Sequence, residues 1–406
     1  MKKLALNLIF VFIGCFMIAP VIAYEPYHAT VTVGEESETI GDPNLVDFTR
    51  GLRETSLELL LAGYTPTTAV SIDINLRGID IISSFAENST TLIVEIPQAG
   101  ISEEFTGATR DESLALFKDF IRDAGDHHRL LKAYARYSPI DPIAGNPNSL
   151  MAQMAQSDYA LGLLSPLSGC DCSWSAQPIV HQFQTGLNVT RAFADPFDTT
   201  LVSLPLRYSY SPNLKWAFII DAPITYIRNG GASSLTTSLG VAFRYPVTHE
   251  WSLTPIVRWG AGGSLDLCVS GSFVSAGLTS VYNYKMCDYV VSMTNYAGYI
   301  SSTNLWLTGI NYNYHLHNYV FKNGLSITSC KGFSMWDRPL NFSVSFVDSY
   351  FAREHLYIRH FDEVGISLIA TGISPCIDYD CLTLKFAYQF GEKHYKGYCF
   401  NTTYQF

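Results

Sequence analysis

Beyond residue 23 the 406-residue chain has no apolar run of about 18 residues, so no later helix reads as a membrane span. Any later segment that crosses a bilayer must do so as strands, because only helices and closed barrels satisfy every backbone group in lipid. Positive charge is also scarce: 26 Lys and Arg stand against 36 Asp and Glu. That balance argues against nucleic acid as a partner. The nine Cys match no zinc spacing. There is no long β-helix repeat, and no motif that calls for a cofactor.

What is present starts at the N-terminus. Met1-Lys2-Lys3 is a charged n-region, residues 4–19 are almost wholly apolar, and Val21-Ile22-Ala23 fits a cleavage site before Tyr24. Residues 1–23 therefore read as a signal peptide, and the protein as exported. The rest divides in two. Residues 24–172 carry 22 Asp and Glu against 9 Lys and Arg, whereas residues 173–406 carry 14 against 15 and all six Trp.

The second part alternates. Leu235, Thr237, Leu239, Val241, Phe243 and Tyr245 oppose Thr236, Ser238, Gly240, Ala242 and Arg244. Similar segments follow from Val202, Trp216, Trp251, Leu340 and Leu382. Period-2 segments of about ten residues with aromatic ends are the pattern of a transmembrane β-barrel. Weaker segments bring the count to about twelve antiparallel strands, with ten or fourteen as alternatives. Turns at Ser211-Pro212-Asn213 and 245–248 are short enough for the periplasmic side. Asn229-Gly230-Gly231 is a hairpin signal, but gives a short outer loop. On the inward faces lie Arg207, Arg244 and Arg258 against Asp221. These residues line a positive lumen or are knitted into a salt-bridge network.

The final strand places Tyr398, Phe400, Thr402, Tyr404 and Phe406 on one face. A terminal Phe with a Tyr two residues before it resembles the outer-membrane insertion signal of Gram-negative bacteria. The resemblance implies two partners, outer-membrane lipid and the barrel-assembly machinery, with Tyr398, Phe400, Tyr404 and Phe406 as the signal.

Residues 24–172 read as a small acidic α+β domain. Residues 69–76 and 91–96 are strand-like, and Thr109 with Glu112 forms a capping box that opens a helix. A helical pattern resumes over 129–137. A loop over 141–148 leads to a short helix, 150–159, just before the barrel. That helix is expected to pack in the acidic domain or to plug the barrel from the periplasmic side, with Asp158 meeting the inward Arg residues. The second arrangement leaves the acidic domain in the periplasm.

An exported chain with a C-terminal barrel of about twelve strands, entered through a helix, resembles the autotransporter translocators. It is most similar to the solitary outer-membrane proteins with an autotransporter-type barrel. The likeness covers mainly residues 174–406, with a further match in the 141–149 loop. It implies an outer-membrane location and no particular reaction. Three functions follow as expectations: a porin-like pore or translocator with a plugging or periplasmic N-terminal domain; an anchor whose acidic domain binds an unidentified protein partner; and, last, an outer-membrane hydrolase.

Candidate chemistry is thin. Asp126-His127-His128 places adjacent His on different faces of a helix. His315-Leu316-His317 places two imidazoles on one face of a strand. Outer-membrane phospholipases put Ser two residues after His, and no His here is followed so. Asp378-Tyr379-Asp380 and His360-Phe361-Asp362 hold the ingredients of an outer-membrane protease dyad in the wrong order. No catalytic residue, metal site or cofactor is expected. Loss of Cys15 with the signal leaves eight Cys, an even number that favours disulfides in an oxidising compartment, Cys376 with Cys381 among the options.

Overall fold

The computed structural model describes residues 24–122, 128–163, 180–212, 216–307, 310–331, 333–335, 338–371 and 381–406. The signal-peptide reading lies outside them.

The N-terminal unit is a six-stranded antiparallel sheet with helices on one face. Its strands are β1 (Tyr27–Val33), β2 (Glu36–Asp42), β3 (Val70–Leu76), β4 (Ile79–Phe85), β5 (Thr91–Ile96) and β6 (Ile101–Thr106), in the order β2-β1-β3-β4-β5-β6. The helices are α1 (Leu45–Gly51), α2 (Glu54–Leu60), α3 (Arg110–Arg122) and α4 (His128–Tyr137). Asn44 caps α1, its Oδ1 accepting from Val46 N at 2.8 Å. At α3, Thr109 Oγ1 accepts from Glu112 N at 3.2 Å, while Glu112 Oε2 accepts from Ala108 N at 2.7 Å. The capping box therefore forms with its return bond shifted by one residue.

Period-2 strands bury one face. Val70, Ile72 and Ile74 of β3 and Ile79 and Ile81 of β4 pack with Phe48, Phe117, Leu130 and Leu131 of the helices. Each such side chain contributes about 1.5–3 kcal/mol by leaving water.

The second part is a closed barrel of twelve antiparallel strands. Its strands are β7 (His181–Ala194), β8 (Phe197–Leu204), β9 (Leu206–Tyr210), β10 (Ala217–Asp221), β11 (Ile224–Asn229), β12 (Ala232–Pro246), β13 (Trp251–Ser264), β14 (Val269–Met286) and β15 (Tyr289–Thr303). A small hairpin, β16 (Leu305–Leu307) and β17 (Ile310–Tyr312), follows. The wall resumes with β18 (His317–Ser329), β20 (Arg338–Ala352), β21 (His360–Thr371), β22 (Cys381–Gly391) and β23 (Lys396–Gln405), and β19 (Phe333–Met335) pairs with β20. Pro205 splits β8 from β9, and Pro223 lies between β10 and β11, so each pair forms one wall strand. Proline removes a ladder donor, which explains both breaks. The ring closes where β23 pairs with β7, from Lys396↔Phe193 to Gln405↔Gln184. Phe183 and Phe406 complete the seam by exchanging backbone hydrogen bonds of 2.7 and 2.9 Å.

The wall alternates as the sequence predicts. Leu235, Leu239, Phe243, Val257 and Trp259 are exposed on the outside, while Thr236, Ser238, Thr254 and Arg258 are buried inside. An apolar outside over a polar inside is the pattern of an outer-membrane barrel. Of the final aromatics, Tyr398 and Phe406 are exposed, Tyr404 is half-buried, and Phe400 is covered by Phe386 at a ring separation of 4.8 Å.

The mouth at which β7 starts and β23 ends is here the near mouth. The Asn229-Gly230-Gly231-Ala232 hairpin lies at the opposite, far mouth.

Candidate functional site

The fourteen-residue helix α5 (Leu150–Leu163) runs inside the barrel. At 1.5 Å per residue it is about 21 Å long. It is buried on most of its surface: Leu150, Met151, Met154, Ala155, Asp158, Tyr159 and Leu161 are all inaccessible. Such a helix cannot stand alone in water, and here the barrel holds it. Leu150 lies beside Gly260, and Gly162 beside Thr279. Leu161 ends the run in an apolar cluster with Ala217, Ile219, Ala242 and Ile256. Tyr296 enters the lumen where Gly277 and Gly298 leave room; a Cβ on either would overlap its ring.

The helix enters from the far mouth. The 141–149 loop that feeds it is buried there: Leu150 N donates to Pro142 O at 2.9 Å and Ser149 Oγ to Asn146 O at 2.6 Å. Gly145 has φ +99°, and a side chain there would strike the Ala135 carbonyl. The acidic unit stands on the same mouth. Asn229 Nδ2 donates to Ile140 O at 3.0 Å, Leu45 N to Asp266 O at 3.2 Å, and Ile358 N to Gly145 O at 2.8 Å. This corrects the expectation of a plug entering from the end that holds the strand termini. It also explains the short Asn229 hairpin, whose Gly230 and Gly231 lie against Pro26 and Pro43.

A buried polar cluster joins unit and barrel at this mouth. Arg77 lies over the Tyr134 ring at 3.5 Å, and its Nη1 is 3.4 Å from Asp141 Oδ1. Tyr314 Oη, from the barrel, donates to the same oxygen at 3.0 Å. Burial pushes the Asp141 carboxyl up to about 6, against the opposing pull of Arg77.

Inside the lumen, Arg258 bridges two carboxylates. Its Nε donates to Asp158 Oδ1 at 2.6 Å and its Nη2 to Asp221 Oδ2 at 2.7 Å. Arg207 Nε donates to Asp221 Oδ1 at 2.6 Å. Asp158 also accepts from Ser275 Oγ at 2.9 Å and Tyr296 Oη at 3.2 Å. Two guanidinium groups thus face two carboxylates, and this part of the lumen is balanced rather than a positive wall. Arg244 points inward but stands apart from this network, donating to Ser252 Oγ at 3.0 Å. Alternation placed these Arg side chains inside; it could not supply Ser275 and Tyr296, which the barrel's curvature brings to α5. A second inward cluster, Lys385 with Glu363 at 2.5 Å and Gln389 with Glu363 at 2.9 Å, was also missed.

The helix is off-centre. It packs on β12, β13, β14 and β15 and leaves a cavity of about 390 Å³ on its other side. Gln153, Gln156 and Ser157 of α5 line it, with Asn188, Thr190, Asn401 and Thr403 of the seam strands opposite.

The remaining candidates do not converge on a reaction centre. His315 lies outside the strand with φ +49°, so it does not share a strand face with His317. Its ring meets His128 at 5.3 Å, whereas His317 Nδ1 lies 2.9 Å from Ser301 Oγ. Asp126, His127, Asp378 and Asp380 lie outside the described residues. Asp348, His360 and Asp362 bring potential metal-ligand atoms within 4.8 Å of one another. They sit on the outward face, with His360 Nε2 2.6 Å from Asp348 Oδ1. Cys287 and Cys399 are free thiols. Cys287 occupies a near-mouth turn and Cys399 faces the lumen, its Sγ accepting from Thr190 Oγ1 at 3.4 Å. Cys170, Cys172 and Cys376 lie outside the described residues.

No protein-family model matches the chain, and no curated protein matches it. Solved structures similar to it include the translocator domain of the autotransporter NalP from Neisseria meningitidis, with a TM-score of 0.47 and 10% identity over 63% of this chain and 95% of that one. The β-domain of the Bordetella autotransporter BrkA gives 0.43 and 11% over 56% and 99%. The transport unit of AIDA-I from Escherichia coli gives 0.41 and 8% over 63% and 97%.

Proposed function

We propose that this protein is an outer-membrane anchor that holds its own acidic N-terminal unit at the cell surface, with α5 as the tether through the pore. One observation carries the reading: α5 runs between the mouths, with the acidic unit at one and both barrel termini at the other. An even strand count puts both termini on one side, which in bacterial barrels is the periplasm. The far mouth then faces outward. The aromatic last strand serves as the insertion signal read by the assembly machinery, and residues 1–23 as the export signal.

Labelling of whole cells tests this. With native thiols removed, Glu58→Cys on the exposed surface of α2 is expected to react with a membrane-impermeant maleimide on intact cells. Thr248→Cys, in a near-mouth turn, is expected to react only after the outer membrane is opened. The reverse pattern sinks the proposal.

A second reading, a gated pore, is favoured by the polar cavity beside α5. Full-length protein in planar bilayers is expected to be silent, and protein lacking residues 24–163 to conduct. Steady current from the full-length chain would remove the plug from the account.

A further inference from the structure

The six-stranded sheet has helices on one face only. Cross-strand register defines the other. One row reads Thr39, Thr30, Asp73, Ile82, Glu95 and Ser102. The next includes Ser71, Ser84, Ile93 and Glu104. Ile82 is 50% exposed and Ile93 39%, on neighbouring strands and diagonal to each other. Diagonal side chains on one sheet face are within mutual reach. Two isoleucines thus form an apolar centre rimmed by Asp73, Glu95 and Glu104.

Charge is segregated across this unit. The strands β1–β6 contain no Lys or Arg at all. Arg50, Arg53 and Lys118 belong to the helical side, and Arg77 and Arg110 are buried. The edge strands β2 and β6 carry Glu36, Glu38, Glu103 and Glu104, and charged edges disfavour pairing with a second copy.

We infer that this open face docks a basic polypeptide that presents an apolar side chain between its cations. An apolar centre within a charged rim is the anatomy of a binding surface. Six strands span about 24 Å, so the contact is at the small end of specific interfaces and the affinity is that of a transient partner. Complementary charge then sets the association rate and makes it fall with salt. The inference depends on the face standing clear of the barrel, not on which side of the membrane it faces, so it fails independently of the anchor proposal.

The test uses the full chain in nanodiscs of zwitterionic lipid, with empty nanodiscs as the blank. The probe is a fluorescent seven-residue peptide alternating lysine and leucine, compared with one alternating lysine and serine. The leucine peptide is expected to bind at least tenfold more tightly. Ile82→Ser with Ile93→Ser is expected to remove that preference. Asp73→Asn, Glu95→Gln and Glu104→Gln together are expected to weaken binding at least tenfold. Glu35→Gln, Glu58→Gln and Glu87→Gln change net charge equally on exposed sites elsewhere, and are expected to change it less than twofold. Equal losses in the two charge sets would reduce the effect to general acidity and overturn the inference. So would absence of binding to the wild type. A dimer, seen by light scattering, that disperses on loss of the two isoleucines would make a second copy the occupant and overturn it as well.

Discussion

The two walls of the barrel treat the same helix differently. β12–β15 pack against α5 and bury Asp158 in a closed network, whereas β7, β22 and β23 face it across a cavity lined by Asn, Thr and Gln together with the Lys385–Glu363 pair. Both walls have the same alternation and similar polar content. The difference lies in what the charges of each wall meet. Arg258 on the packed wall pairs with Asp158 of α5 and fixes the helix at one depth; Lys385 on the facing wall pairs within the wall, with Glu363 of the neighbouring strand.

The largest expected effect comes from breaking the packed side. Arg258→Met leaves Asp158 and Asp221 buried without their shared partner and is expected to cost about 3–5 kcal/mol. Urea unfolding followed by loss of heat-modifiable gel migration measures it. Asp158→Asn removes one charge only and is expected to cost less; equal costs would show that the network is not shared. Next is the outer surface. Leu239→Arg, exposed to lipid, is expected to destabilise the inserted barrel by about 2–4 kcal/mol if it lies near the midplane. The inward control cannot be Ser238, which accepts from Arg258 Nη1 at 2.9 Å, because a second cation there would crowd the first. The smallest effect is expected on the wet wall: Thr403→Arg projects into the cavity and is expected to change stability by less than about 0.5 kcal/mol. A large loss there would erase the contrast between the walls. Finally, a Gln156→Cys, Ser238→Cys pair in a thiol-free background tests the helix position directly, since both positions line the cavity. Cross-linking in folded protein is the expected outcome on gels, and its absence would move α5 out of the lumen.

Barrel and N-terminal unit differed in how much their sequences disclosed. Every barrel strand separates lipid from lumen, so its two faces differ in chemistry and the period of two is plain. In the N-terminal unit, β2 is exposed along most of its length and has no apolar face to read. β4 is masked by Ser83, a buried hydroxyl that donates to Ile72 O at 3.0 Å and interrupts the apolar alternation. The inward Arg residues were legible from register alone. Their partners were not, because Asp158 and Arg258 are separated by 100 residues and Asp141 and Tyr314 by 173. Only closure of the ring brings them together. The direction of α5 was likewise hidden: a helix beside a barrel reads the same whichever mouth it enters.

The chain is threaded through its own closed ring. The lumen accommodates one helix and a cavity of about 390 Å³, and a six-stranded sheet about 24 Å across cannot follow. The acidic unit therefore acts as a bead knotted onto a string. Force on the near-mouth side cannot withdraw it without unfolding the sheet. Biogenesis is constrained in the same way: either the thread lies in place before the β7–β23 seam closes, or it passes unfolded and the sheet forms afterwards.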